Sequence, residues 1–323
     1  MRNNGEFIMP RSRRERWKEF WSEIKKQPAL QLMAMVGVVF LFIFNYVPMF
    51  GLAFAFFDVD GSVDIMGSFS NMDWVGLSYF KEFVTDENFL NIILNTTCIS
   101  LLQLIVNFPM SLIFALVLSE VKNRNIKSGI ECVSFFPNFV SWIAYGAIVC
   151  AMLSSDGGVI NGILQQLGII DKSIHFIETP AYFWAIAVIS NLCKNLGWGS
   201  VIYLSAISQI DPCLYDAARI DGATRFQRIL HITLPSIIIV LFVNLVFQLS
   251  QMLNSDFAQI WMLQRTMNLS RSEVLDIYIA KVGFNQMRYS YVTAAGLFKS
   301  VIGTVLLVGG NKVCSKFLGR RLF

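Results

Sequence analysis

Charge is scarce in this sequence. Asp, Glu, Lys and Arg make up 15% of its 323 residues, where a soluble domain carries about 25%. So few charges cannot cover two soluble cores, although the length alone would allow two. Apolar residues are too many for a disordered chain. Histidine occurs only at His175 and His231, far apart and without ligand-like neighbours, so no metal site is expected. The six cysteines (Cys98, Cys132, Cys150, Cys193, Cys213 and Cys314) form no C-x-x-C pair, which argues against a disulfide scaffold. Most fall in apolar stretches and are expected to act as small buried apolar side chains. There is no G-x4-G-K-[ST] phosphate loop, so the chain does not itself bind ATP in that way. Gly157-Gly158 lacks the following Lys-Ser/Thr and reads as a loop turn. No catalytic constellation is expected.

What is abundant is apolar surface: 55% of residues, with 28 Phe and a mean hydropathy of +0.55. The fold class this implies is all-α, a polytopic membrane protein. A spanning helix needs roughly 20 mostly apolar residues to cross about 30 Å of hydrocarbon. No charge occurs for 31 residues after Lys26, for 32 after Glu87 or for 24 after Glu131; 27 residues after Arg228 carry only His231. Two further stretches are each interrupted by one lysine, Lys194 or Lys299. Six transmembrane helices are predicted, at about 30–57, 91–119, 131–153, 181–207, 234–254 and 291–312. They form a single domain over 29–323, preceded by a cytosolic basic segment over 1–28. Pro48, Pro109 and Pro137 lie within these spans and are expected to kink them.

Orientation follows from the loops. With the N-terminus inside, inner segments hold 18 of the 26 basic residues and outer loops hold six. The acids lean the other way, 13 outside and nine inside. Both termini are therefore expected in the cytosol. The polar lead is too long, and the first apolar run too extended, for a cleaved signal peptide. Residues 11–26 pattern as a basic amphipathic helix, with Trp17, Phe20, Trp21 and Ile24 on one side. Membrane lipid is one partner this suits; a solvated basic tail is the other reading.

The inner loop over 208–234, continued to Pro235, is the most informative stretch: QIDPCLYDAARIDGATRFQRILHITLP from Gln209. Asp211-Pro212 signals a helix start. Leu214, Ala217 and Ala218 recur on one face, Gly222 interrupts, and a second helix follows with Phe226, Ile229 and Leu230 on one face. Pro235 marks the beginning of the next span. The small residues allow close approach of a partner, and Asp216 and Asp221 supply polar anchors.

Asp216-Ala217-Ala218, three residues, Gly222, nine residues, and Ile232-Thr233-Leu234-Pro235 resembles the EAA loop of ABC importer permeases, E-A-A-x3-G-x9-I-x-L-P. The one departure is Asp216 for Glu, which keeps charge and shortens reach. Residues 74–83 (WVGLSYFKEF) look like the short outer helix of sugar permeases. FFPNFVSW (135–142), LSSDGGVINGIL (153–164), the run over 195–223 and YSYVTAAGLFKSVIG (289–303) are similar to the subgroup that imports oligosaccharides or polysaccharide fragments, including uronate-containing ones. The resemblance implies a type I importer permease of the bacterial cytoplasmic membrane. It implies a second, non-identical permease subunit, two ATP-binding subunits at the cytosolic face and an extracytoplasmic solute-binding protein, with no nucleic acid. ATP and Mg would sit on the ATPase, and no cofactor on this chain. Tyr215, Asp216, Ala217, Ala218, Asp221 and Gly222 are then the expected ATPase-coupling contacts.

Polar side chains within a membrane are costly and tend to face an aqueous path or another helix. Asn191, Lys194 and Asn195 lie mid-span. Asn244, Gln248, Gln251 and Ser255 form one polar stripe on the fifth span. Trp198 and Tyr145 are candidate stacking partners for sugar. This set is the expected substrate pathway; for the stripe, hydrogen bonding between helices is an equal reading. Lys299 snorkels, pairs with an acid or contributes to function. An ABC permease for a non-sugar solute is the alternative, and an ion-coupled transporter a more distant one, since no Asp or Glu lies deep in a span.

Overall fold

The structure is a computed structural model that describes residues 26–59, 73–254 and 256–318. The amphipathic segment predicted over 11–26, apart from Lys26, and Ser255 of the polar stripe lie outside the described residues. The chain divides into two units between Phe54 and Ala55. In the first, α1 (Pro28–Leu41) begins on a proline, whose missing N–H costs nothing in a first turn. Apart from Gln31 its side chains are apolar, and none is buried, the pattern of a helix whose solvent is lipid or a partner. A π turn (Phe42–Tyr46) then precedes Pro48. The proline ring opposes the carbonyl four residues back, here within the π turn, and the wider turn makes room for it.

The second unit opens with a short antiparallel pair, β1 (Phe57–Asp58) and β2 (Asp73–Trp74). α2 (Ser78–Thr85) follows, then α3 (Phe89–Ser119), which runs through Pro109 without interruption. The predicted third span is two helices, α4 (Arg124–Phe139) and α5 (Trp142–Met152), meeting at 99°. Val140 and Ser141 are extended, and the Ser141 hydroxyl caps α5 by accepting from the Ala144 N–H. A charge-free run does not report such a break. α6 (Val159–Gln166) starts at Gly158, where an added Cβ would lie 2.2 Å from the Ser154 carbonyl; Gly157 has φ +69°. That geometry is a loop turn.

α7 (Pro180–Ile207) is 28 residues long. After it come α8 (Pro212–Ile220), α9 (Arg225–Arg228), a second π turn (Ile229–Thr233) and α10 (Leu234–Ser250). Arg225–Ser250 is one continuous apolar helix. Pro235 therefore does not begin the span; the π turn absorbs it, as at Pro48. The segment assigned to the outer loop after 254 is not open loop: α11 (Phe257–Leu263), α12 (Leu269–Ser272) and α13 (Leu275–Gln286) bury Ile260, Leu263, Leu275 and Ile277. α14 (Tyr289–Leu318) closes the chain.

Among the described residues, four helical stretches are long and apolar enough to cross a membrane, and five if the α4–α5 pair is one span. α7 is long enough but carries Ser190, Asn191, Lys194 and Asn195 at its centre. It packs against α3, α4, α10 and α11. Glycines set the distances: a Cβ at Gly197 would lie 2.3 Å from the Ser134 carbonyl of α4, and one at Gly199 would lie 2.7 Å from Ser111 Oγ of α3.

At the other end of α3, Phe83, Ile92, Leu275, Val282 and Tyr291 form one core. Asp86 there accepts from the Asn88 N–H at 2.7 Å and the phenols of Tyr278 at 2.9 Å and Tyr291 at 3.3 Å. Burial opposes its ionisation, but these donors outweigh it and hold the carboxyl below its ordinary value.

The close approach at Gly197 makes a direct prediction. Gly197→Val forces α4 and α7 apart and should lower stability by about 1–3 kcal/mol, read as an earlier thermal transition of the detergent-solubilised protein. Gly162→Val, where open space surrounds the Cβ position, should shift it by less than half as much.

Candidate functional site

The 208–234 segment folds as a local program of helix signals. Asp211 caps α8 by accepting from the Cys213 N–H at 2.9 Å, with Pro212 in the first turn. α8 ends in a Schellman turn: the Ala223 N–H bonds the Ala218 carbonyl at 2.9 Å and the Gly222 N–H bonds the Arg219 carbonyl at 3.1 Å. Gly222 sits at φ +76°, the left-handed position that glycine fills without strain. Thr224 and Gln227 then form a capping box that starts α9. The Tyr215 hydroxyl meets Thr233 Oγ1 at 2.9 Å and ties α8 back to the π turn.

The outer surface of this unit is exposed and partly apolar. Ile220 is 87% and Phe226 73% exposed, and Leu214 and Ala218 are also accessible. Asp216 is exposed and pairs with Arg219 at 3.0 Å. Ala217, Asp221 and Gly222 are exposed beside it. The expected coupling residues are thus together on α8 and its turn, with Tyr215 facing inward. Beside them, between the segment and the end of α3, lies an open cleft of about 1000 Å³ lined by Glu120, Tyr215, Asp216, Arg219, Arg225 and Arg228 among others.

The mid-membrane residues are arranged differently. Asn191 has all four hydrogen-bonding positions filled. Its Oδ1 accepts from Asn107 at 2.9 Å and Asn195 at 3.1 Å; its Nδ2 donates to Asp256 at 2.8 Å and Gln259 at 3.0 Å. Gln259 is equally saturated: it donates to the Ala187 carbonyl at 2.6 Å and Ser190 Oγ at 2.9 Å, and accepts from Asn191 and from Gln103 at 3.2 Å. Asn195 accepts from Asn138 at 2.9 Å. The network joins α3, α4, α7 and the start of α11.

Lys194, 4% exposed, donates to three carbonyls at the C-terminus of α4: Pro137 at 2.9 Å, Asn138 at 3.0 Å and Val140 at 2.5 Å. Helix C-termini carry orphan carbonyls and partial negative charge, and the break before α5 leaves them inside the protein. The ammonium satisfies them. It also lies 5.2 Å from the Trp142 ring centre and 5.6 Å from that of Tyr145. Trp198 is exposed and apart from this group's hydrogen bonds. On α10, Asn244 donates to the Tyr203 hydroxyl at 2.6 Å, Gln248 to Asn244 at 3.4 Å, and Gln251 is bonded by Asn254. Lys299 pairs with Asp276.

Gln259, Asp256, Asn107, Asn138 and Gln103 were not among the residues singled out in the sequence. Gln259 and Asp256 lie in a segment with no periodic signal, and amides on α3 and α4 are unremarkable until α7 is placed beside them. The cysteines also differ from expectation: Cys132, Cys193 and Cys213 are exposed and Cys98 and Cys150 partly so. A thiol facing lipid or a partner meets no desolvation cost, so burial within the chain is not required.

A family described as "Binding-protein-dependent transport system inner membrane component" matches residues 31–310. Protein LplB of Bacillus subtilis (strain 168) is 35% identical over 93% of this chain and 92% of its own. The polygalacturonan/rhamnogalacturonan transport system permease protein YteP of the same organism is 32% identical over 94% and 93%. Among solved structures, a bacterial ABC transporter involved in the import of the acidic polysaccharide alginate matches with a TM-score of 0.83 at 32% identity, over 92% of this chain and 99% of that one. The same score, at 31% identity, is obtained with the bacterial alginate ABC transporter in complex with an alginate pentasaccharide-bound periplasmic protein.

The Lys194 arrangement has a measurable consequence. Lys194→Met leaves the inward Asn138 and Val140 carbonyls without a donor, the Pro137 carbonyl keeping only the Val140 N–H at 3.3 Å, and should cost about 2–3 kcal/mol, seen as a lower unfolding temperature in detergent. Lys194→Arg, which keeps charge and donors, should recover part of that loss.

Proposed function

The chain belongs to the binding-protein-dependent transport system inner membrane components, and from that membership we propose its role: it is the transmembrane permease subunit of an ATP-driven ABC importer of oligosaccharides or polysaccharide fragments. The observation that carries the coupling part of this reading is the exposed helix–Schellman turn–capping box unit over 211–235. Such a unit is rigid because every cap is filled locally, and it presents Ile220, Phe226 and the Asp216–Arg219 pair outward. It is suited to sit in a cleft of a separate ATPase subunit. Tyr215, Asp216, Ala217, Ala218, Asp221 and Gly222 make or hold the contact.

In the working complex this chain pairs with a second, non-identical permease. Two ATP-binding subunits carry ATP and Mg at the cytosolic face, and an extracytoplasmic solute-binding protein delivers the glycan. The chain lies in the bacterial cytoplasmic membrane with both termini inside, a reading the basic-residue bias supports. ATP-driven closure draws the coupling helices together, and the spans answer as rigid bodies between two states. The glycan passes along Tyr145, Trp198 and the amide stripe of Asn244, Gln248 and Gln251. Asn191, Lys194 and Asn195 hold the adjacent wall through the filled network on α7.

Uronate-containing glycans are favoured by the substrates in the names of the relatives. The outer loops carry six basic against 13 acidic residues, so they exert no long-range attraction on an anion. Selection then falls to the solute-binding protein and to short-range contacts.

The test is ATP hydrolysis and uptake by the complete importer in liposomes, with oligogalacturonide and neutral oligosaccharides loaded on its binding protein. The wild-type complex should show glycan-stimulated ATPase and ATP-dependent uptake. Gly222→Val, which forces a β-branched side chain to φ +76°, should lose most of the stimulation, about tenfold or more in uptake. Full coupling in that variant would refute the assignment of the 211–235 unit.

A further inference from the structure

The open cleft between the coupling unit and the end of α3 is lined by charge. Glu120 caps the C-terminus of α3, where a carboxylate meets the negative end of the helix dipole and is unfavourable unless paired. Its partners are both on the coupling segment: Arg228 Nη2 lies 3.5 Å and Arg225 Nε 4.0 Å from Glu120 Oε2. Arg228 is the buried member, its side chain 9% exposed against 25% for Glu120. Arg228 stands at the base of the continuous Arg225–Ser250 helix, and Glu120 at the base of α3. The pair therefore joins the feet of two spans in the wall of an open cleft of about 1000 Å³. The Tyr215–Thr233 bond completes the connection from α8 to the same foot.

The geometry is incomplete in one respect. The buried Nε of Arg228 has no hydrogen-bond partner, and 3.5 Å is beyond the ordinary reach of a charge-assisted N–H···O bond. A guanidinium binds a carboxylate best through two parallel N–H groups. A small displacement of the coupling segment toward α3 would let the second carboxylate oxygen take Nε and convert a loose single contact into a paired one. An unmet buried donor favours that conversion.

Resting on the function proposed above, we infer that Glu120 and Arg228 form a strut that transmits movement of the coupling unit to α3, tightening as the ATPase closes. Both are positioning residues, acting through the spans they join. The strut explains why a buried arginine lies in a loop whose other arginines are exposed. Burying a charge is costly and is kept only where it is paired.

The experiment measures uptake of labelled oligogalacturonide per ATP hydrolysed, using the complete importer in liposomes. Glu120→Gln keeps size and hydrogen bonding but removes the charge, and should lower uptake per ATP about tenfold. Arg228→Gln should do the same if it assembles. The exchanged pair, Glu120→Arg with Arg228→Glu, should restore at least half of wild-type uptake per ATP, which a purely packing role would not. Wild-type uptake per ATP in Glu120→Gln overturns the strut, and so does an exchanged pair no better than Glu120→Gln. A wild-type complex that hydrolyses ATP without taking up glycan overturns the proposed function, and the strut with it. A coupled wild type with an unaffected Glu120→Gln overturns the strut alone.

Discussion

Everything in the second unit is arranged around the need to satisfy the polar centre of α7 without water. In hydrocarbon an unpaired amide or ammonium is expensive, and α7 carries Asn191, Lys194 and Asn195 within two turns. The chain meets this by surrounding α7 with complementary groups rather than by facing the polar side chains to solvent. Asn191 and Gln259 fill one another's positions from different helices. Lys194 takes carbonyls that the break in α4 has freed. The break and the lysine depend on each other: a straight third span would expose no carbonyls there, and a broken one would leave those of Asn138 and Val140 orphaned without a cation. Gly197 and Gly199 then let α4 and α3 approach closely enough for these bonds to form.

The coupling unit shows the opposite economy. Its geometry is set by residues within a few positions of one another: the Asp211 cap, Gly222 at positive φ, the Schellman bonds and the Thr224–Gln227 box. The Tyr215–Thr233 bond ties it internally, and Glu120 at the end of α3 reaches it through Arg228 and Arg225. A self-contained unit with few attachments can move as a body. The attachments then decide which spans follow it, α10 through covalent continuity and α3 through charge.

This difference explains which parts were legible beforehand. Apolar runs mark where helices cross, because the bilayer sets a length that a sequence must match. Spacing marks the coupling loop, because caps and left-handed glycines act over three or four residues. The 99° bend between α4 and α5 was invisible, since the run from Cys132 to Ser155 contains no charge to interrupt it. The packed helices after Asp256 read as loop, because their buried residues are spread over three short elements without a sustained period. Lys194 stood out as an intramembrane charge, yet its partners are backbone carbonyls that no sequence pattern advertises.

The sequence by itself determined a membrane-embedded helical chain, the asymmetry of its basic residues and the form of the coupling loop. These follow from local composition, charge counts and short-range hydrogen bonding. The tertiary structure alone decided what the scarce polar residues do. It set Asn191 and Gln259 to hold helices together, Lys194 to cap a broken helix and Arg228 to reach Glu120. Those roles depend on contacts between residues far apart in the chain, and a polar side chain in a membrane takes its meaning from whichever partner the fold brings to it.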